Sequence, residues 1–317
     1  TDTHARAAIV GLLNTLLVAF SGVIIATILG FTMGILRLSG NWLVNRIVYV
    51  FLEFTRNVPV LLHILFVYGI FLYTLPVPKK AISISDTVFL SNRGFYTPTP
   101  VFEDGFKYVL IAMLVAVLIV FFFKQWAKKV QDSTGKIYPV FFISISILIG
   151  LPFLTFFISG TPMSWETPVL KGFNFKGGAS IKPEYIALTF ALSYYTACFI
   201  AENVRGGILA ISKGQTEAAH GLGLRPNRTL QLIVIPQALR VIIPPLCSQY
   251  LNLTKNSSLA IAIGYMDVVA TIGGITLMQT GKEMETMIII LLTYLFISLV
   301  ISAFMNWFNR KMALVER

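Results

Sequence analysis

The sequence predicts an all-α fold, a polytopic membrane bundle of about seven spanning helices. Three observations predict it. Hydrophobic residues are 56% of the 317 residues; counted with Gly and without Tyr the share is about 59%, where soluble domains hold about 45–50%. Charged residues are 12%, about half the usual share of about 25%, too few to cover a soluble surface. Seven apolar runs approach the ~20 residues that cross a bilayer core. Soluble, disordered, collagen-like and disulfide-scaffold readings are excluded; Cys198 and Cys247 lie in or beside apolar runs and imply no disulfide framework.

In chain order, the first run is 8–36, where Gly11, Gly22, Gly30 and Gly34 allow close helix approach in lipid. The second is 58–75. Residues 77–105, with Pro78, Asn92, Gly94, Pro98 and Pro100, read as an irregular loop. Runs three and four are 106–123 and 137–158. Residues 159–183, with Pro162, Pro168 and Gly177–Gly178, read as a second irregular loop. Run five, 185–201, is short; runs six and seven are 245–264 and 286–308. Apolar runs continue toward the C-terminus, so this is not a signal peptide followed by a soluble domain. No low-complexity tract or clear inverted repeat is present.

Lys and Arg set the orientation. Segments 37–56, 124–136, 202–240 and 309–317 share one face and carry 15 basic residues; the opposite face carries nine. The first face is therefore expected in the cytoplasm, with the C-terminus. Seven spans then place Thr1 outside, leaving open an eighth span upstream. The net charge of +11 is mostly this asymmetry, and Lys255 stands inside a span.

Segment 202–240 is long and helix-compatible. Residues 215–220 suit a short helix with Glu217 near its positive end. Gly221 and Gly223 stop it, and Pro226 suits the first turn of a second helix. Leu230, Ile233 and Val234 share a face until Pro236 interrupts. Two readings follow: a loop packed on its own helix ends, or a knob that inserts into a cytosolic partner.

Glu217–Ala218–Ala219, Gly223 three residues on, then Ile233 and Ile235–Pro236 after nine more, resemble the EAA signature of ABC importer permeases. The family pattern has Leu where Ile235 stands. The residues 201–208, Gly214–Gln215–Thr216, 236–240, Pro244–Pro245 and 253–259 resemble the polar amino-acid branch. So do Gly11–Leu12–Leu13–Asn14–Thr15–Leu16 and residues 53–60. Within that branch the chain resembles the Q-type permease subunit of general L-amino-acid transporters.

The resemblance implies a type I ABC importer permease-like five-helix core over 11–76 and 183–317. Two inserted spans fall in 79–182, and 1–317 forms one transmembrane permease domain whose EAA coupling loop is 202–240. It implies translocation of amino acids, of broad L-specificity, across the bacterial inner membrane. Implied partners are a second homologous permease in a heterodimer, two ATP-binding subunits, a periplasmic amino-acid-binding protein that the 77–105 and 159–183 loops are candidates to receive, the amino-acid substrate and the lipid bilayer; nucleic acid has no supporting motif. Glu217, Ala218, Ala219, Gly223 and Pro236 would form the ATPase-coupling loop. No Lys is followed by Ser or Thr, so no phosphate-cradling P-loop is present. The chain is thus expected to be a transport subunit without its own ATP site, not an enzyme, with ATP and Mg bound by partner subunits and no cofactor of its own.

In run six, Gln249, Asn252 and Asn256 share one helical face, Lys255 borders it, and Thr254, Ser257 and Ser258 widen it. An ammonium there is costly unless it meets a wet path or a partner such as Glu202 or Glu53. The face either lines the amino-acid passage or locks helices together. Many relatives with cationic substrates carry Asp where Asn256 stands, which argues against selectivity for basic amino acids. Asn57, beside Arg56, is a further pathway candidate, though an interfacial anchor explains the pair well. His63 is expected to be packed or hydrogen-bonded, and scattered His and Cys give no metal spacing. Phe121, Phe122, Phe123 and Trp307 suit core or interfacial belts. An ion-coupled secondary transporter would want paired intramembrane carboxylates; an enzyme would want a catalytic constellation.

Overall fold

The computed structural model describes residues 3–312. They divide into two compact units, one of residues up to 75 with those from 181 on, and one of 76–180. Mostly helical, the described residues hold six helices long and apolar enough to cross a membrane, or seven if a bent pair forms one span.

The first unit opens with α1 (His4–Leu36), capped by the Thr3 side chain, which accepts from the Arg6 N–H at 3.3 Å. At 33 residues it is about 50 Å long, well over a bilayer core. Its buried side is a four-residue repeat of small side chains: Gly22, Ala26, Gly30 and Gly34. Along it α6 (Pro183–Leu209) packs, with Ala187, Leu188, Ala191, Leu192, Ala197 and Ile200 in the core. With no polar solvent to drive association, such close contact supplies the dispersion that holds helices together in lipid.

Between them lie α2 (Trp42–Asn57) and α3 (Val60–Thr74), bent by 107°. The expected second run over 58–75 is only the α3 arm. Pro59 explains the break: it lacks an N–H, and its ring drives Val58 into extended backbone, with ψ of 135°. The α3 arm has 15 residues, about 22 Å, short of a ~30 Å core. Asn41 caps α2 by accepting from Leu43 and Val44.

The second unit corrects the two irregular loops. Residues 82–102 form β1 (Ile82–Ser85), β2 (Val88–Ser91), β3 (Gly94–Thr97) and β4 (Thr99–Phe102). After the helices come β5 (Met163–Glu166), β6 (Val169–Lys171), β7 (Asn174–Lys176) and β8 (Ala179–Ile181). One sheet runs β1-β2-β3-β8, with Phe89 opposite Tyr96; β4 pairs β5 and β6 pairs β7. Prolines and glycines punctuate hairpins here, and aromatic packing holds them: Phe175 stacks on Phe89 at 4.6 Å, and Tyr96 donates to Asn174 at 2.7 Å. Two apolar helices follow the first strands, α4 (Phe106–Thr134) and α5 (Val140–Ile158). The former runs eleven residues past the expected end at 123, because its charged turns are still good helix formers. Gly135, at φ 72°, caps it through its N–H to Gln131.

Back in the first unit, the expected short run 185–201 is the 27-residue α6, so 202–209 continues the span. Next come α7 (Lys213–Gly221) and α8 (Pro226–Thr229), then a π-turn (Leu230–Val234) and α9 (Ile235–Asn256). Pro236 does not interrupt: helix is continuous over Pro226–Ile263. The wide turn just before it absorbs the hydrogen bond that proline cannot make. A 3₁₀ stretch (Ser257–Ile263) ends at Gly264, φ 76°. Residues 265–285, expected as loop, hold a second π-helical stretch (Val269–Thr276) and α10 (Leu277–Thr280) before α11 (Glu283–Met312). Glu283 and Glu285 in its first turn and Arg310 and Lys311 in its last suit the helix dipole.

Candidate functional site

The segment 213–236 builds a compact knob. Ser212 starts α7, its side chain accepting from the Gly214 N–H. The helix ends in a Schellman motif: the Leu224 N–H reaches Ala219 O at 3.1 Å and the Gly223 N–H reaches His220 O at 2.9 Å. Gly223 takes the left-handed position, φ 78°, and an added Cβ there would meet nothing within 4 Å. Its glycine thus serves the backbone turn rather than close packing within this chain. Ala219 is buried, whereas Glu217 and Ala218 are exposed. No ion pair engages Glu217 among the described residues. Leu222 (84% exposed), Leu230, Leu232 and Ile235 of the same segment also leave apolar surface bare. Leu230, Ile233 and Val234 lie in the π-turn, the first exposed and the other two half-buried. Pro236 is half-buried at the foot of the knob.

On α9, Asn252 and Lys255 are exposed, and Gln249, Asn256 and Ser258 half-buried. Two expected members turn inward. Ser257 is fully buried and donates to Thr254 O at 2.7 Å; Thr254 is buried and donates to Tyr250 O at 2.8 Å. Ser258 donates to Lys255 O. The polar face is therefore narrower than its sequence suggests. Lys255 sits in the last turn of α9, where helix carbonyls favour a cation. Its expected carboxylate partners are occupied: Glu202 faces Arg205 at 3.5 Å and Glu53 faces Arg56 at 3.6 Å. Among the described residues no ion pair engages Lys255.

Asn57 is separate. It ends α2, donating to Glu53 O at 2.8 Å, and Arg56 lies over Phe199 at 5.5 Å. No hydrogen bond among the described residues joins Asn57 to the α9 face. His63 is buried as expected, with Nε2 3.1 Å from Thr55 O and Nδ1 2.8 Å from the Tyr194 hydroxyl. Beside it a groove of about 560 Å³ opens in the crook of α2 and α3, walled by Phe51, Phe54, Leu62, Phe66 and Phe190. Such a lining does not match a zwitterion. Among the described residues no cluster of three His, Cys, Asp or Glu side chains could hold a metal.

Sequence reasoning missed Asp267. It lies in an expected loop, yet is fully buried. Burial pushes its carboxyl above the ordinary value, against hydrogen bonds from backbone amides and Tyr294. The available signal was Gly11–Leu12–Leu13–Asn14–Thr15–Leu16 in the first run, whose polar members meet this residue's neighbourhood.

Residues 22–314 match the family model described as binding-protein-dependent transport system inner membrane component. The chain is 50% identical over 316 residues to the general L-amino acid transport system permease protein AapQ of Rhizobium johnstonii, covering all of this chain and 79% of that one. It is 46% identical over 347 residues to the glutamate/glutamine/aspartate/asparagine transport system permease protein BztB of Rhodobacter capsulatus, covering 100% of this chain and 81% of that one. The fold is similar to that in a crystal structure of an amino acid ABC transporter with histidines, with a TM-score of 0.57 at 18% identity, over 97% of this chain and 94% of that one.

Proposed function

This chain belongs to the family of binding-protein-dependent transport system inner membrane components, and we propose that it is the amino-acid permease subunit of an ATP-driven importer with a broad L-amino-acid range. As an ABC importer permease it works in the inner membrane with a second permease, ATPase subunits and a binding protein. We place the C-terminus and the 213–236 knob in the cytoplasm, and assign two ATPase subunits and a related but different second permease. Exposed Glu217, on a segment that also leaves Leu222, Leu230 and Leu232 bare, supports docking into an ATPase cleft, with Ala218, Ala219, Gly223 and Pro236 shaping the knob.

One observation carries the passage assignment: Lys255 is an exposed, unpaired ammonium in the last turn of a helix continuous with that knob. An uncompensated cation within a span is tolerated where it faces water or an anion. The α-carboxylate of an amino acid supplies that anion, and Gln249, Asn252, Asn256 and Ser258 offer neutral donors and acceptors beside it. A broad range fits a site that recognises the common backbone charges and leaves the side chain free. Asn57 and inward-turned Ser257 would contribute through position rather than contact. The inserted unit 76–180 would serve the binding-protein side.

The test is reconstitution of the complex in vesicles, measuring uptake of acidic, neutral and basic amino acids with and without ATP. We expect ATP-dependent uptake, lost about tenfold or more in Lys255→Met, and a shift toward basic substrates in Asn256→Asp. Glu217→Lys should leave ATP hydrolysis running without uptake. Uptake driven by an ion gradient alone would point instead to a secondary transporter, and unchanged uptake in both α9 variants would make the polar face structural.

A further inference from the structure

We propose that Asp267 is a positioning residue that joins α1, α11 and the end of α9 remote from the knob into one body, so that movement of α9 during transport carries α1 and α11 with it. This rests on the transport reading above. Gly264 turns the chain sharply after the 3₁₀ stretch, and Asp267 follows three residues later, with no exposed surface. One carboxylate oxygen accepts from the Ala270 N–H at 2.8 Å, capping the helical stretch Val269–Thr276. The other accepts from the Tyr294 hydroxyl of α11 at 3.2 Å. The Asp267 backbone oxygen accepts from the Thr271 hydroxyl at 2.8 Å.

The neighbouring backbone is held by α1. Asn14 donates its amide to Met266 O at 2.8 Å, the Thr15 hydroxyl accepts from the Val268 N–H at 3.2 Å, and the Tyr265 hydroxyl donates to Asn14 O at 3.2 Å. Gly11 permits the approach: a Cβ there would overlap the Thr271 hydroxyl and lie 2.8 Å from Asp267 O. No ion pair reaches Asp267 among the described residues. Three separate elements thus converge on a few polar atoms, of which the Asp267 carboxylate and the Thr15 and Thr271 hydroxyls belong to buried residues, where an unmet partner is expensive. Such a cluster either moves whole or breaks at a high cost. Seven residues of 3₁₀ helix, about 14 Å of rise, separate Asn256 from the turn at Gly264 that leads into Asp267, so the cluster can fix the far end of the candidate passage without touching cargo.

The experiment uses the assembled complex with its binding protein, in vesicles for uptake and in detergent for amide hydrogen exchange. In Asp267→Ala we expect the maximal uptake rate to fall about tenfold, half-saturating substrate to change less than about twofold, and ATP hydrolysis to continue. Exchange at Val268 and Ala270 should accelerate at least about tenfold. Asp267→Asn, which still accepts from Ala270, should restore most of the rate. Tyr294→Phe, which deletes a single hydroxyl, should give an intermediate rate and decides the matter if Asp267→Ala does not assemble. Wild-type rates in both Asp267→Ala and Tyr294→Phe, or a change confined to half-saturation, would overturn the proposal. So would an Asp267→Asn variant as slow as the alanine. If the wild type takes up no amino acid, the cargo reading fails, and exchange alone then supports or overturns the junction.

Discussion

The contact between α1 and α6 is open to a test in which one methyl group decides. At Gly30 an added Cβ would lie 2.5 Å from Ile200 Cγ2, 2.6 Å from its Cβ and 3.0 Å from Ala197 O. Carbon atoms rest comfortably at about 3.5–4.0 Å, so Gly30→Ala requires the helices to part by about 1 Å. Neither obstacle yields easily: one is a backbone oxygen, the other the branch point of a fully buried, β-branched side chain. Overpacking of this kind costs about 1–3 kcal/mol. Alanine's better helix propensity, up to about 1 kcal/mol, offsets part of it, and the net loss should be about 1–2 kcal/mol.

The assay is thermal unfolding of the purified permease in detergent, with Gly150→Ala as the control. Gly150 lies on α5, where an added Cβ meets nothing within 4 Å. The control should be neutral or slightly stabilising while Gly30→Ala loses midpoint temperature. Ile200→Ala, which removes the nearest obstructing carbon, should soften the effect of Gly30→Ala when the two are combined. If Gly30→Ala melts with the control, the small-residue repeat is not a contact surface and the packing of α1 on α6 is wrong.

Gly223→Ala forces a side chain into left-handed backbone at φ 78°, costing about 1–2 kcal/mol locally; uptake should drop while Gly221→Ala, outside that conformation, stays near wild type. Asp267 gives a pH signature. Its carboxyl is raised by burial above 3.8, so between 3.8 and the raised value the folded chain holds more protons than the unfolded one. Its contribution to stability is therefore fullest at low pH and lost as pH rises through the folded value. Asp267→Asn should flatten the melting temperature against pH over that window, and an unchanged slope would disprove it. Tyr194→Phe, which removes the His63 partner at 2.8 Å, should destabilise by about 1 kcal/mol in the same melting assay.

Composition and run length were enough to read the membrane class, because the bilayer constrains every span in the same way. They misjudged where helices end, since 124–134 and 202–209 are polar yet helix-forming, and polarity marks the lipid boundary rather than the helix boundary. Hairpins in 76–180 escaped because their strands are three or four residues long, too short for a period-two pattern to stand out. At the site, helical spacing found Gln249, Asn252, Lys255 and Asn256. It overlooked that Thr254 and Ser257 fall at helical spacing from Leu246 and Leu253, on the side of the helix that packs into the core. Asp267 was illegible for a different reason: its partner Tyr294, and Asn14 and Thr15 that hold the neighbouring Met266 and Val268, are distant in sequence.

The continuity of helix over Pro226–Ile263 changes what the prolines mean. Read from sequence, Pro236 interrupts a helix and Pro245 opens a span; in the fold they and Pro244 are weak points within one rod, about 44 Å long from Pro226 to Lys255. Those weak points are unequal. Pro244 and Pro245 lie between Ile242, Ile243 and Leu246, all buried in the core. There α6 holds α9 tightly, for a Cβ on Gly207 would overlap Ile242 and lie 3.3 Å from Ala238 O. The turn at 230–234 has no buried residue, so bending is cheapest beside the knob. Under the docking proposed above, a displacement at Glu217 would reach Lys255 only if α9 moved with α6 as a packed pair, and α6 is bound along its length to α1. On that proposal the rigid element to be tilted is a three-helix body, and the π-turn at the foot of the knob would set how much of a partner's push reached it.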